Sequence, residues 1–138
     1  TNIGEEAHRL DQIASGGEMS RIMLAIKNVL SDVDEVPVLI FDEIDTGISG
    51  KAANSVAIKL GKIAKKHQVL IITHLAPIAA KGDYNYYIYK KVENDKTFTN
   101  IKLLNEQEVI EEIARISSGE ATKTALLHAK ELREKKIA

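Results

Sequence analysis

Apolar residues recur along the chain with two different periods, and their alternation predicts its architecture. Over 19–30, Met19, Ile22, Met23, Ile26, Val29 and Leu30 fall at i, i+3, i+4 and i+7 spacing, the mark of an amphipathic helix. "VPVLIF" at 36–41 is an unbroken apolar run with Pro37 near its start, which suits a strand covered on both faces. The helical stripe returns over 51–66 with Ala53, Val56, Ala57, Leu60, Ile63 and Ala64, and "VLIIT" at 69–73 predicts a second buried strand. Strand, helix and strand at this spacing make a βαβ unit, with parallel strands and a right-handed crossover. "YNYYIYKKV" and "FTNIKLL", separated by "ENDKT", predict two strands joined by a polar turn. Residues 106–116 and 120–136 then close the chain as two helices. The expected fold is α/β: parallel strands flanked by helices, a β-hairpin and two C-terminal helices. No repeat, low-complexity tract or linker divides 1–138, so one domain is expected.

Composition narrows the function classes only a little. A chain of 138 residues with 44% hydrophobic and 28% charged residues is an ordinary soluble domain, long enough for a real core. Its formal net charge of -1 offers no overall attraction to nucleic acid or an anionic membrane. The pairs Lys65-Lys66, Lys90-Lys91 and Lys135-Lys136 are scattered, as on solvated faces rather than a patch tracking a phosphate backbone. The absence of cysteine excludes disulfides and thiolate metal sites and fits a reducing compartment. No apolar run approaches the roughly 18–20 residues a membrane helix needs. "TNIGEEAHRLDQ", polar and of mixed charge, is no signal peptide; without an initiator methionine, a processed or excised piece is expected.

"IASGGEMSRIMLAI", 13–26, sets two glycines at the first turn of a strong helix, where each costs roughly 1 kcal/mol relative to alanine. Ser15 as N-cap and Glu18 three residues on form a capping box, which accounts for those two residues but not for Gly16 and Gly17. Without Cβ atoms, the first-turn amides at the positive end of the helix dipole would be open to a phosphate. Cap and phosphate contact both stand open on spacing alone. A P-loop is excluded, because five residues before Gly50 and Gly61, each followed by lysine, stand Asp45 and Val56 rather than glycine.

"VLIFDEIDTGISG", 38–50, ends a buried strand in two carboxylates. In open parallel sheets ligands bind at the carboxyl ends of strands, so Asp42 and Glu43 emerge where chemistry is expected. One acid suits a Mg²⁺ ion held through water, and the other can orient and deprotonate an attacking water. A single acid there would read as a strand end capping the next helix; two acids after four apolar residues point further. His74 directly follows "VLIIT" and would share that edge if the strands are parallel neighbours. His8, His67 and His128 lack such a setting and read as surface or packing residues, and no His/Asp/Glu spacing suggests zinc.

As a set these motifs resemble the ATP-binding-cassette ATPases. "ASGGE" (14–18) is similar to their signature, normally L-S-G-G-[EQ], with Ala14 for the usual leucine. "VLIFDE" (38–43) resembles Walker B plus the catalytic glutamate, "DTGISG" (45–50) the D-loop, and "ITHLAPIAA" (72–80) the switch-histidine segment. Ile44 stands where transporter cassettes usually carry proline. "IASGGEMSRIMLAIK", "FDEIDTGISG", "THLAPIAA" and "EEIARISSGEATKTALLHAKEL" are similar to the C-terminal part of the RecN family, bacterial DNA-repair relatives of the structural-maintenance-of-chromosomes (SMC) proteins. "SSGE" at 117–120 imitates the signature but reads as a turn and helix cap.

The resemblance implies the C-terminal lobe of an ABC-type P-loop NTPase head, working with an N-terminal Walker A half of the same protein and a head–head homodimer. Ser15, Gly16 and Gly17, with Glu18 completing the signature, would contact the γ-phosphate of ATP bound by the partner head. Asp42 would order Mg²⁺ through water, Glu43 would polarise the attacking water, and His74 would contact the γ-phosphate. Ser49 and Gly50 would communicate across the dimer. By itself the chain would be a folded but inactive part of an ATPase. DNA as a partner in double-strand break repair, and a bacterial cytoplasmic, nucleoid-associated location without membrane, come from the resemblance alone. An SMC-type chromosome-organising head and a non-catalytic α/β interaction module are the competing readings; "DTGISG", not a D-loop ending in leucine-aspartate, favours the repair family over the first.

Overall fold

The computed structural model describes residues 14–135; the readings of 1–13, His8 included, and of the last residues of the closing helix lie outside the described residues. The chain forms two compact units, one ending at Thr73 and the other beginning at His74.

In the first unit, α1 (Gly16–Leu30) is followed by β1 (Val38–Phe41), α2 (Gly50–Ile63) and β2 (Gln68–Ile71). The two strands pair in parallel, Val38 opposite Gln68 and Phe41 opposite Ile71, so the βαβ unit forms as its period predicts. Ala53, Val56, Ala57, Leu60 and Ile63 of α2 are buried along one stripe. Ala64, also expected in that stripe, is exposed because it is the C-cap, its N–H returning to the Leu60 carbonyl. His67 is buried as a packing residue, and its Nδ1 donates to the Val36 carbonyl at 2.6 Å.

Two expectations change. Among the described residues the strands are covered on one face only: Leu39 and Phe41 are buried, whereas Ile40 is 70% exposed and Leu70 and Ile72 are also open. Parallel partners share a face, so Ile40 and its neighbour Leu70 belong to one bare apolar surface. The sequence carries the pattern of a central strand, but the described residues of this unit supply only part of the cover. The second change is in α1. Its apolar stripe faces outward, with Met23, Ile26, Leu30 and the 82% exposed Val29 in solvent. The face turned inward runs Gly17, Arg21, Leu24, Asn28, again at helical spacing, with Gly17 and Leu24 fully buried. Polar anchors, described below, set this orientation.

The second unit begins with a short helix, α3 (Ala76–Ala79), that no periodicity foretold. β3 (Tyr86–Glu93) and β4 (Lys96–Leu103) follow as the predicted antiparallel hairpin. Asn94 and Asp95 make its two-residue turn at φ 49° and 60°, left-handed at both positions as such tight turns require. α4 (Glu106–Ser118) opens with a capping box between Asn105 and Glu108 and ends at Gly119, whose φ of 82° confirms "SSGE" as a turn and cap. α5 (Lys123–Glu134) is capped by Thr122. Alanines 76, 80, 114, 125 and 129 pack with Val109 and Ile113, small side chains that let α3, α4 and α5 approach closely. Arg133 closes the unit: its guanidinium forks onto Glu106 at 2.8 and 3.0 Å and also donates to the Ala80 and Gly82 carbonyls. His128 is exposed, as a surface residue should be.

Candidate functional site

The capping box at α1 is complete. The Glu18 amide donates to Ser15 Oγ at 3.3 Å, and the Ser15 amide donates to Glu18 Oε2 at 2.8 Å. The Ser15 hydroxyl also gives its own proton to Glu18 Oε2 at 2.9 Å, so here that donor is spent inside the box. The Ser15 amide bond, then the hydroxyl bond, then the Arg21 charge hold the Glu18 carboxyl below its ordinary value. A lowered folded-state value means that the support is fully present above the ordinary carboxylate range. It is lost as pH falls below that range through the lowered value. Ser15→Ala is expected to weaken this helix end by about 1 kcal/mol. Amide hydrogen exchange at Glu18, faster in the variant and faster in the parent at acid pH, checks both statements.

The glycine pair splits into two cases. Gly17 is buried, and a Cβ there would lie 2.8 Å from the Glu43 carbonyl oxygen and 3.0 Å from Thr46 Cβ. Neither cap nor phosphate is needed to explain it: the first turn of α1 sits directly on the loop after β1. Gly16 is exposed, and a Cβ there would run into only the Glu43 carboxylate, the mobile end of a side chain. The amide turn of α1 and the Glu43 side chain are therefore neighbours within this unit.

That loop, 42–46, is held by a set of polar bonds. Ser20 Oγ donates to the Asp42 carbonyl at 2.8 Å. Arg21 Nη1 donates to the Ile44 carbonyl at 3.1 Å and the Thr46 carbonyl at 2.7 Å, which explains why α1 turns Arg21 inward. The Thr46 amide returns to the Glu43 carbonyl at 3.0 Å. Asp42 and Glu43 are both exposed. One Asp42 oxygen accepts the Glu43 amide at 2.8 Å; among the described residues no cluster of three or more His, Asp or Glu side chains gathers to hold a metal directly, so Asp42 could act on a hard divalent ion only through water. Glu43 adopts φ 56°, a left-handed conformation that costs a non-glycine residue energy and persists only where the surroundings fix it.

Ser49 is the N-cap of α2 but makes no side-chain cap bond, and Gly50 follows at φ 50°; both are exposed. Exposed His74 opens the second unit, immediately after Thr73. The structure thus brings Ser15, Gly16, Gly17 and Glu18 together with Asp42 and Glu43. It also shows structural roles for residues the sequence pattern did not single out: Ser20, Arg21, Asp45 and Thr73. The available signals were an arginine four residues after Gly17 inside an apolar stretch, and a hydroxyl closing an apolar strand.

Comparison with known proteins gives a consistent answer. No protein-family model matches the chain. "DNA repair protein RecN" of Deinococcus radiodurans is 47% identical over 131 residues, covering 95% of this chain and 23% of that protein. The Bacillus subtilis protein of that name is 47% identical over 133 residues, with 96% and 23% coverage, and the Treponema pallidum one is 47% identical over 132 residues. The chain therefore spans about a quarter of the length of these relatives. Among the described residues no helix is long and apolar enough to cross a membrane.

Proposed function

For this chain, homologous to the C-terminal region of the RecN DNA repair proteins, we propose the role of an ATPase-head lobe in DNA double-strand break repair. The observation that carries the reading is the pairing of exposed Asp42 and Glu43, at the carboxyl end of a parallel strand, with the capped glycine turn of α1. Bound MgATP supplies the terminal phosphoryl group that water attacks. Asp42 would hold the Mg²⁺ ion through a water molecule. Glu43 orients and deprotonates the attacking water, and His74 contacts the γ-phosphate. At the turn that Ser15 and Glu18 hold, the amides of Gly16 and Gly17 grip a phosphate presented by a second head, while Gly17 also packs on the 42–46 loop. Ser49 and Gly50 lie on the loop that communicates across that dimer.

The nucleotide cradle belongs to an N-terminal Walker A half of the same protein. The bare apolar face around Ile40 and Leu70 supports this assignment, since an apolar surface of that kind calls for cover. DNA is the partner of the whole assembly, in the bacterial cytoplasm at the nucleoid.

The test is reconstitution. This chain alone is expected to bind no ATP stoichiometrically and to show no steady turnover at micromolar concentration. Mixed with the remainder of a full-length polypeptide, expressed separately, it is expected to form a one-to-one complex that hydrolyses ATP. Turnover by the chain alone defeats the proposal. The non-catalytic module has one observation in its favour: the Ser15 box and the Gly17 contact are satisfied internally. It predicts an inert complex.

A further inference from the structure

Asp45 is only 2% exposed, although it lies in the same loop as the two solvent-facing acids. Its Oδ2 accepts a hydrogen bond from Thr73 Oγ1 at 2.6 Å. A buried carboxylate is costly unless hydrogen-bonded, and a hydroxyl–carboxylate bond of this length is of the strong, charge-assisted kind. The contact joins the loop after β1 to the chain two residues past the end of β2. Its neighbour Ile44 is fully buried, so two consecutive side chains are drawn inward just where Glu43 points out.

We propose that Asp45 and Thr73 form a positioning pair for Glu43, setting the direction of its carboxylate without touching substrate. The inference rests on the reading of Glu43 as the residue that activates water. Glu43 holds its φ of 56° because its surroundings over-determine it. On the α1 side, Ser20 and Arg21 fix the backbone at 42, 44 and 46. On the other side, the Asp45–Thr73 bond ties the loop to the segment following the neighbouring strand. Loss of the Thr73 hydroxyl releases that side, and the Glu43 turn relaxes toward commoner backbone angles.

The test uses a full-length polypeptide carrying this segment. Thr73→Val keeps the shape and removes the hydroxyl; Thr73→Ser keeps the hydroxyl. Thr73→Val is expected to lower kcat for ATP hydrolysis about 10- to 100-fold, the scale of a misdirected reacting group, with KM for ATP little changed. Thr73→Ser is expected to restore kcat to near the parent value. In a Glu43→Gln background, Thr73→Val should cause no further loss, because the group it aims is already gone; a general structural defect would still slow the residual rate. If Thr73→Val does not fold, Asp45→Asn replaces it with the same expectations. An unchanged kcat in whichever variant folds, or an undiminished loss in the Glu43→Gln background, overturns the pair. Unchanged hydrolysis in Glu43→Gln itself overturns the underlying reading instead, so the two failures are distinct.

Discussion

Glu43→Gln in a full-length polypeptide carrying this segment is expected to slow ATP hydrolysis by about 10²- to 10⁴-fold, the usual contribution of a positioned general base. Glutamine fits the space and keeps a hydrogen-bonding oxygen but cannot take a proton from water at neutral pH. ATP binding should survive, because Glu43 holds neither nucleotide nor ion in this scheme. With binding intact and turnover blocked, nucleotide-dependent dimers should accumulate. Size-exclusion chromatography with ATP is expected to show a dimer that decays slowly, whereas the parent dimer is transient. Both the repair ATPase and the SMC-type head predict this outcome. Hydrolysis at the parent rate would leave only the non-catalytic module, in which the Asp42–Glu43 pair merely ends a strand. The structure adds one refinement. Glu43 lies on a tethered loop with left-handed backbone, and its side chain has no partner among the described hydrogen bonds, so its removal should cost little folding stability. A rate loss without a change in melting temperature is therefore the expected signature.

The sequence made the βαβ unit, the hairpin and the closing helices readable because each rests on a local period or a turn rule. Parallel pairing followed from the length of the connection, and the capping box of α1 from a serine three residues before a glutamate. The exposed acids were readable because polar residues ending an apolar strand have few bland explanations. The orientation of α1 was not readable. Hydrophobic periodicity reports which face the whole protein covers, whereas in this unit Arg21 is turned inward by two backbone carbonyls that the helix's own sequence does not contain. The bare strand face around Ile40 has the same cause. Asp45 escaped notice because an acid in a polar loop is normally solvated; only its distant partner Thr73 makes burial tolerable. Helix α3, four residues with Pro77 inside it, is too short to show any period.

Gly17→Ala is expected to destabilise this chain by about 1–3 kcal/mol with no nucleotide present, the usual cost of overfilling a packed site. The gain in helix propensity offsets at most about 1 kcal/mol of that. The clash should win because its nearest obstacle, at 2.8 Å, is the Glu43 carbonyl oxygen, a backbone atom. That oxygen already accepts the Thr46 amide, and Ser20 and Arg21 hold the carbonyls on either side. Gly16→Ala should behave differently. Its obstacle is the free end of the Glu43 side chain, which can swing away, so the fold should keep its melting temperature. In a full-length polypeptide the displaced carboxylate should instead lower hydrolysis. Thermal melts of the two variants of this chain, beside ATPase rates in the full-length context, separate packing from ligand contact. A lowered melting temperature for Gly17→Ala alone assigns that glycine to the docking of α1 on the 42–46 loop and leaves Gly16 as the position that must stay bare for chemistry. Equal melting temperatures for both variants, with nucleotide-driven dimerisation lost in each, would return both glycines to phosphate contact and remove the packing explanation for Gly17.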